Sequence, residues 1–397
     1  MKNLTSSIYT FEDLRRGDCL YVDKTEYLWE LVSQPKGIYF LSRPRRFGKS
    51  LTLSTLKAVF QGKRELFKGL AIDGKDYDWK PHPIIHLDLG DRRNDTPEAL
   101  DRALRVILGE NAQDLGLSLH EQSAPEAFRE LIRKAHGIAP VVILIDEYDK
   151  PLLDNAGGDR ENVNAIREEL EAFYGVIKTT ESMQRFVFIT GVAKFTKVSV
   201  FSKLNHLTDI TMNGRFATML GYTQSELEDN FTEYIDDAAQ KNGGTRKKLL
   251  TQMRRWYNGY RFEEGAETVY NPVSVAQFFQ NDGKFKNYWF ETGSPGVIFR
   301  VAKTAGFDFW DALARPVQDL AFSQFEVGRL QPLPLLVQTG YLTIKKAGAG
   351  PRGGVVYYLG FPNYEVESAF ETFLLADYLP GFQPDPALDR MFEALSA

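Results

Sequence analysis

Two segments of this chain hold residue types suited to phosphate and metal chemistry. The first is Gly37-Ile-Tyr-Phe-Leu-Ser-Arg-Pro-Arg-Arg-Phe-Gly-Lys-Ser50, and the second is Val141-Val-Ile-Leu-Ile-Asp-Glu-Tyr-Asp149. A loop ending in Gly-Lys-Ser and opening a helix presents backbone N–H groups and a helix N-terminus to an anion. Gly48 permits close backbone approach, Lys49 would reach the β- and γ-phosphates of a nucleotide, and the Ser50 hydroxyl would ligate magnesium. The candidate phosphate contacts are therefore Arg43, Pro44, Arg45, Arg46, Phe47, Gly48, Lys49, Ser50 and Leu51. Arg43 stands where the general motif has glycine, so this half alone is an incomplete match. The second segment supplies the complement. Asp146 is suited to hold magnesium through water, and Glu147 to polarise an attacking water as general base.

These groups need strands and a helix to position them. Residues 37–42 read as a short buried strand and 51–60 as the helix that follows the loop. Residues 141–145 are five consecutive apolar residues, four of them β-branched, which suits a central strand of a parallel sheet. Asp146 and Glu147 then fall at its carboxyl end, the edge where open α/β sheets bind ligands. Residues 84–89 and 186–190 read as further strands, with a helical stretch over about 162–182. This order implies an additional strand between the loop strand and the Asp-Glu strand, the topology of ATPases that carry a catalytic glutamate. Thr190 ends the last strand, and two readings stay open: a catalytic touch on the γ-phosphate or water, or a hydroxyl bonded to backbone.

Around that core the chain divides into four parts. Residues 1–34 read as an N-terminal adaptor, in which Asp23 and Lys24 make a helix-entry turn or frame the nucleotide. Residues 35–221 hold the P-loop domain. Arg215, after Asn213-Gly214, is the candidate phosphate-sensing arginine, with a structural ion pair as the other reading. Residues 222–330 read as a helical lid capped by Thr223 or Ser225. It includes a basic cluster of Arg246, Lys247, Lys248, Arg254 and Arg255, which is a solvated face or a nucleic-acid contact. Residues 331–397 show helix, strand, glycine loop, strand, the latter half of a winged helix. Lys345, Lys346 and Arg352 make its wing basic, which suits phosphate contacts or protein docking.

The chain resembles the bacterial AAA-ATPase-like proteins that are usually fused to a C-terminal PD-(D/E)XK nuclease-like domain. The likeness rests on Tyr21-Val-Asp-Lys-Thr25, Arg43-Pro-Arg-Arg-Phe-Gly-Lys-Ser50, Ile145-Asp-Glu-Tyr-Asp149 and Phe201-Ser-Lys-Leu-Asn205. It continues through Trp256-Tyr-Asn-Gly-Tyr-Arg-Phe262, Tyr270-Asn-Pro272, Gln338-Thr-Gly-Tyr-Leu342 and Phe361-Pro-Asn-Tyr-Glu-Val366. The Arg-Pro opening of the loop is that family's own form, so the resemblance removes the objection at Arg43. It implies ATP and Mg2+ as ligands. The nuclease-like part is expected to be absent or truncated here. Asp73-Gly-Lys75 and Asp282-Gly-Lys284 match its tripeptide but fall in turn-like stretches and read as chance.

The length of 397 residues, with 43% hydrophobic and 25% charged, admits a large core and two or three domains. One cysteine excludes a disulfide framework and suits a reducing compartment, and no signal core or eighteen-residue apolar run is present. A cytoplasmic protein without a membrane span is expected. A net charge of −5 argues against a whole-surface nucleic-acid binder, though not against a local basic face. The fold class expected is α/β: a P-loop NTPase core with a parallel sheet, a helical lid and a C-terminal winged-helix-like module. The function expected is an Mg-dependent ATPase, acting as switch or motor on DNA or a protein partner through that module. The alternatives are a nucleotide-bound scaffold with little turnover, and the regulatory part of a nuclease-linked effector. An arginine supplied in trans would require a homo-oligomer.

Overall fold

The computed structural model describes residues 1–194, 204, 206–289, 306–318, 332–350 and 353–378. The expected motif at 201–205 lies mostly outside the described residues, and Arg352 lies wholly outside them.

The chain enters through two short helices, α1 (Phe11–Arg16) and α2 (Thr25–Val32). Strand β1 (Gly37–Ser42) leads through the loop into α3 (Lys49–Phe60), and β2 (Ile84–Asp88) follows. The stretch between the two motifs folds as α4 (Pro97–Asp114) and α5 (Ala124–His136). Next come β3 (Val141–Asp146), α6 (Lys150–Asp154), α7 (Arg160–Thr179), β4 (Gln184–Gly191) and β5 (Thr208–Asp209). These five strands pair in the order β2-β3-β4-β1-β5, all parallel. So β4 lies between the loop strand and the Asp-Glu strand, as the sequence implied. All six residues of β3 are buried, which explains its unbroken apolar run: a central parallel strand has no solvent face.

Register sets the working edge. Ser42 pairs with Gly191, Ile145 with Ile189, and Asp88 with Asp146. The carboxyl ends of β1, β2, β3 and β4 therefore come level. On one face α4, α5 and α7 pack together. Phe128 and Phe173 stack there with centroids 4.8 Å apart, both fully buried.

After the core come α8 (Gln224–Asn230), α9 (Thr232–Lys241), α10 (Arg246–Tyr257) and α11 (Pro272–Gln280), which share a second apolar cluster. Thr223 caps α8 and Glu226 closes the capping box. Further on are α12 (Phe309–Ala314), β6 (Val317–Gln318), α13 (Pro332–Gln338), β7 (Thr343–Ala349), β8 (Val355–Gly360) and α14 (Tyr364–Tyr378). Strands β6, β8 and β7 form an antiparallel sheet in that order. Among the described residues, no helix is long and apolar enough to cross a membrane.

The α5–α7 contact rests on these two buried rings, with one hydrogen bond at its exposed edge, from Arg129 to the Thr179 hydroxyl. Phe128→Ala is expected to lower unfolding free energy by about 3–5 kcal/mol, read by urea denaturation, because a buried ring leaves a cavity.

Candidate functional site

The loop between β1 and α3 supplies the cationic half of the site. Gly48 sits at φ 89°, a conformation open to glycine, and its carbonyl accepts from Thr52 N at the start of α3. Lys49 is buried, and its Nζ donates to the Arg43 and Pro44 carbonyls at 3.0 Å each. Burial lowers the Lys49 ammonium below its ordinary range, against the opposing pull of Asp146, Asp149 and Glu147. The ammonium is thus held by its own loop, beside the acidic strand end.

The acidic half is the turn after β3. Burial raises the Asp146 carboxyl, while the Ser50 hydroxyl bonded to it and the Lys49 charge pull it down. Burial also raises Glu147, with Asp146 adding to the effect. Glu147 adopts φ 49°, strained for a residue with a side chain and costing about 1–3 kcal/mol. Its neighbours hold it there. Tyr148 N donates to the Thr190 carbonyl, and the Tyr148 hydroxyl to the Ala193 carbonyl. Asp149 is buried and accepts from Val192 N at 2.9 Å and Ala193 N at 2.5 Å. The turn is therefore stitched to the exit of β4. The Glu147 carboxylate lies beside Gly90, where an added Cβ would stand 2.9 Å from Glu147 Oε2 and 3.0 Å from Asp88 Oδ1. Only glycine leaves that space.

A cavity of about 610 Å³ runs along this edge. Lys49, Ser50, Asp88 and Glu147 are among the residues that line it, as are Tyr21 and Tyr222. Arg45, Arg46, Phe47, Gly48 and Leu51 also border it. Ser50 and Asp146 offer a hydroxyl and a carboxylate close enough to influence each other, a donor set that suits magnesium. That ion usually takes one or two protein oxygens and completes its shell with phosphates and water. Among the described residues no group of three or more His, Cys, Asp or Glu could hold a metal without such help.

Of the expected site residues, Arg43, Pro44, Asp146, Thr190 and Arg215 are not among those lining the cavity. The Arg43 side chain is fully buried. Its guanidinium donates to the Ser42, Thr211 and Phe216 carbonyls at 2.9, 2.7 and 3.1 Å, so it braces the loop from behind. Thr190 is fully buried and its hydroxyl donates to the Leu41 carbonyl at 2.8 Å. This is the bond of the backbone-bonded reading, and the hydroxyl oxygen keeps lone pairs with which to accept. Arg215 pairs with Glu30 at 2.5 Å on an exposed side chain, again the structural reading. Asp23 caps α2 through Thr25 and also accepts from Ala71 N. Lys24 pairs with Glu226 and donates to the Thr218 carbonyl. Lys345 donates to the Pro362 carbonyl and stays exposed. The residues unassigned beforehand are Asp88, Gly90 and Asp149. Asp88 ends β2 as Asp146 ends β3, and that shared position was the available signal.

The sheet order, the loop between β1 and α3, and the acidic end of β3 define a P-loop NTPase fold. Residues 6–201 match the family model described as "Predicted AAA-ATPase". An uncharacterized protein in the vnfD 5' region of Azotobacter chroococcum mcd 1 is 40% identical over 387 residues, covering 96% of this chain and 71% of that protein. The chain belongs to this predicted AAA-ATPase family. The solved structure of the Aeropyrum pernix ORC2 protein, in ADPNP–ADP complexes, is similar at 12% identity and a TM-score of 0.30, covering 92% of this chain and 93% of that one.

Burial pushes Asp149 up to about 6 from its ordinary 3.8, against the two backbone donors. A carboxyl raised on folding stabilises most when protonated, so its contribution is full below pH 3.8 and lost by about pH 6. The unfolding free energy of wild type minus that of Asp149→Asn is therefore expected to fall across this window and stay flat above it. Chemical denaturation at a series of pH values measures it.

Proposed function

We propose that the chain binds ATP with magnesium beside this cavity and hydrolyses it, as a nucleotide-dependent switch. The observation that carries this is the grouping of Lys49, Ser50, Asp146 and Glu147 at one sheet edge, beside a cavity of about 610 Å³. The family match and the fold support ATP binding.

In this reading the β- and γ-phosphates draw Lys49 Nζ from the Arg43 and Pro44 carbonyls. Amides at the start of α3 bind phosphate oxygens. Ser50 and Asp146 hold magnesium, which when bound offsets phosphate charge. Glu147 takes the proton of the attacking water, a role its raised carboxyl pKa favours. Residues 1–34 act as adaptor and 222–330 as lid, and their described parts supply Tyr21, Lys24, Tyr222, Pro272 and Ala276 to the cavity lining. Residues 331–397 carry the partner-binding role, toward DNA or protein. Lys345 and Lys346 are its basic candidates among the described residues, and Lys346 lies over the Tyr358 ring at 5.7 Å.

A second reading, a nucleotide-bound scaffold with little turnover, is favoured by Thr190 and Arg215. Both expected phosphate sensors are engaged elsewhere, which leaves fewer groups to stabilise transition-state charge.

Lys49→Ala is expected to lose ATP affinity at least ten-fold in titration calorimetry. Glu147→Gln is expected to bind ATP as wild type does and to lose turnover about a hundred-fold or more in a phosphate-release assay. Normal turnover by Glu147→Gln would remove the assigned base, and no turnover by wild type would favour the scaffold.

A further inference from the structure

We infer that Phe262 is a positioning residue for the phosphate loop, acting through Arg43, Pro44 and Phe47 on Lys49. The inference rests on the ATP-binding reading and adds a dependence of the loop on a distant part of the chain.

A phosphate loop is usually free to take its shape because it is rich in glycine. Residues 43–47 here are Arg-Pro-Arg-Arg-Phe, and Arg46 is held at φ 70°. A non-glycine residue in that region persists where its surroundings over-determine it. The surroundings in this case come from the turn after α10 and the turn after α13. The Phe262 ring lies 4.1 Å from the Arg43 guanidinium, an arrangement that favours the buried cation. Phe47 is buried edge-on between Tyr260 and Phe262, with centroids 4.8 and 5.3 Å away. Gly340, at φ 89°, comes so close to Pro44 that an added Cβ would stand 2.8 Å from Pro44 Cβ. Gln338, two residues earlier, accepts from Lys194 N at 2.7 Å, past the exit of β4.

The consequence reaches the site in two steps. Tyr260, Phe262 and Gly340 fix Arg43, Pro44 and Phe47. The carbonyls of Arg43 and Pro44 are the partners of Lys49 Nζ. A change at Phe262 therefore alters where Lys49 waits and how the loop amides point, without touching a nucleotide. The two motifs that hold these residues, at 256–262 and 338–342, gain a role that is neither nucleotide contact nor partner contact.

The test measures ATP affinity and hydrogen exchange in the full chain for wild type, Phe262→Ala, Phe262→Leu and Gly340→Ala. Phe262→Ala and Gly340→Ala are expected to weaken Mg–ATP binding at least ten-fold. Amides of residues 43–50 should exchange faster while those of β3 stay protected. Phe262→Leu, which keeps bulk over Arg43, should recover most of the affinity. ATP affinity equal to wild type in a folded Phe262→Ala overturns the inference. A loss accompanied by faster exchange throughout β3 also overturns it, because that is general destabilisation. If Phe262→Ala does not fold, Gly340→Ala and Phe262→Leu are judged by the same two readouts. Wild type that binds no ATP would sink the nucleotide reading instead, and the local exchange of 43–50 would still decide the positioning claim.

Discussion

The buried guanidinium of Arg43 is the constraint around which this site is arranged. A charge out of water is costly unless its donors are satisfied. Here three carbonyls, from Ser42, Thr211 and Phe216, accept from its two terminal nitrogens and an aromatic ring covers it, while Nε has no partner among the described residues. Burial lowers the group to about 9, which still leaves it charged at neutral pH. The bonds tie the end of β1 to the segment after β5. They also orient the carbonyls of residues 43 and 44, against which Lys49 rests. The loop thus obtains from tertiary contacts the definition that a glycine-rich loop obtains from ligand and backbone alone.

The acidic half follows the same logic. Glu147 is the second strained non-glycine at the cleft, and Tyr148 and Asp149 fasten its turn to residues 190–193. Tyr174 adds a bond to the Tyr148 carbonyl from α7. In the proposed role, a carboxylate held this way stays near its working position before substrate arrives, which is how preorganisation lowers a barrier. The Asp149 carboxylate, bound to two amides at the exit of β4, fastens the turn that carries Glu147 to residues 192 and 193.

What the sequence made legible was local. The apolar run at 141–145, the Gly-Lys-Ser helix entry and the strand candidates at 84–89 and 186–190 all declare themselves within a few residues. They were enough to imply the inserted strand. What escaped depends on partners far along the chain. Nothing near Thr190 says that its hydroxyl meets Leu41, and nothing near Arg215 says that it meets Glu30. Arg43 looks like a phosphate ligand by position and becomes a brace only when residues 211, 216 and 262 arrive. The helices α4 and α5 lie between the two motifs and carry none of the site's residues.

The most direct test of this account is a crystal structure with magnesium and a non-hydrolysable ATP analogue. The account predicts a β-phosphate against the amides at the start of α3 and Lys49 Nζ moved from the Arg43 and Pro44 carbonyls onto phosphate oxygen. It also predicts magnesium bound by Ser50 and Asp146, with a water beside Glu147. Nucleotide bound away from residues 48–51, or Lys49 unmoved on its own loop carbonyls with the analogue present, would contradict it.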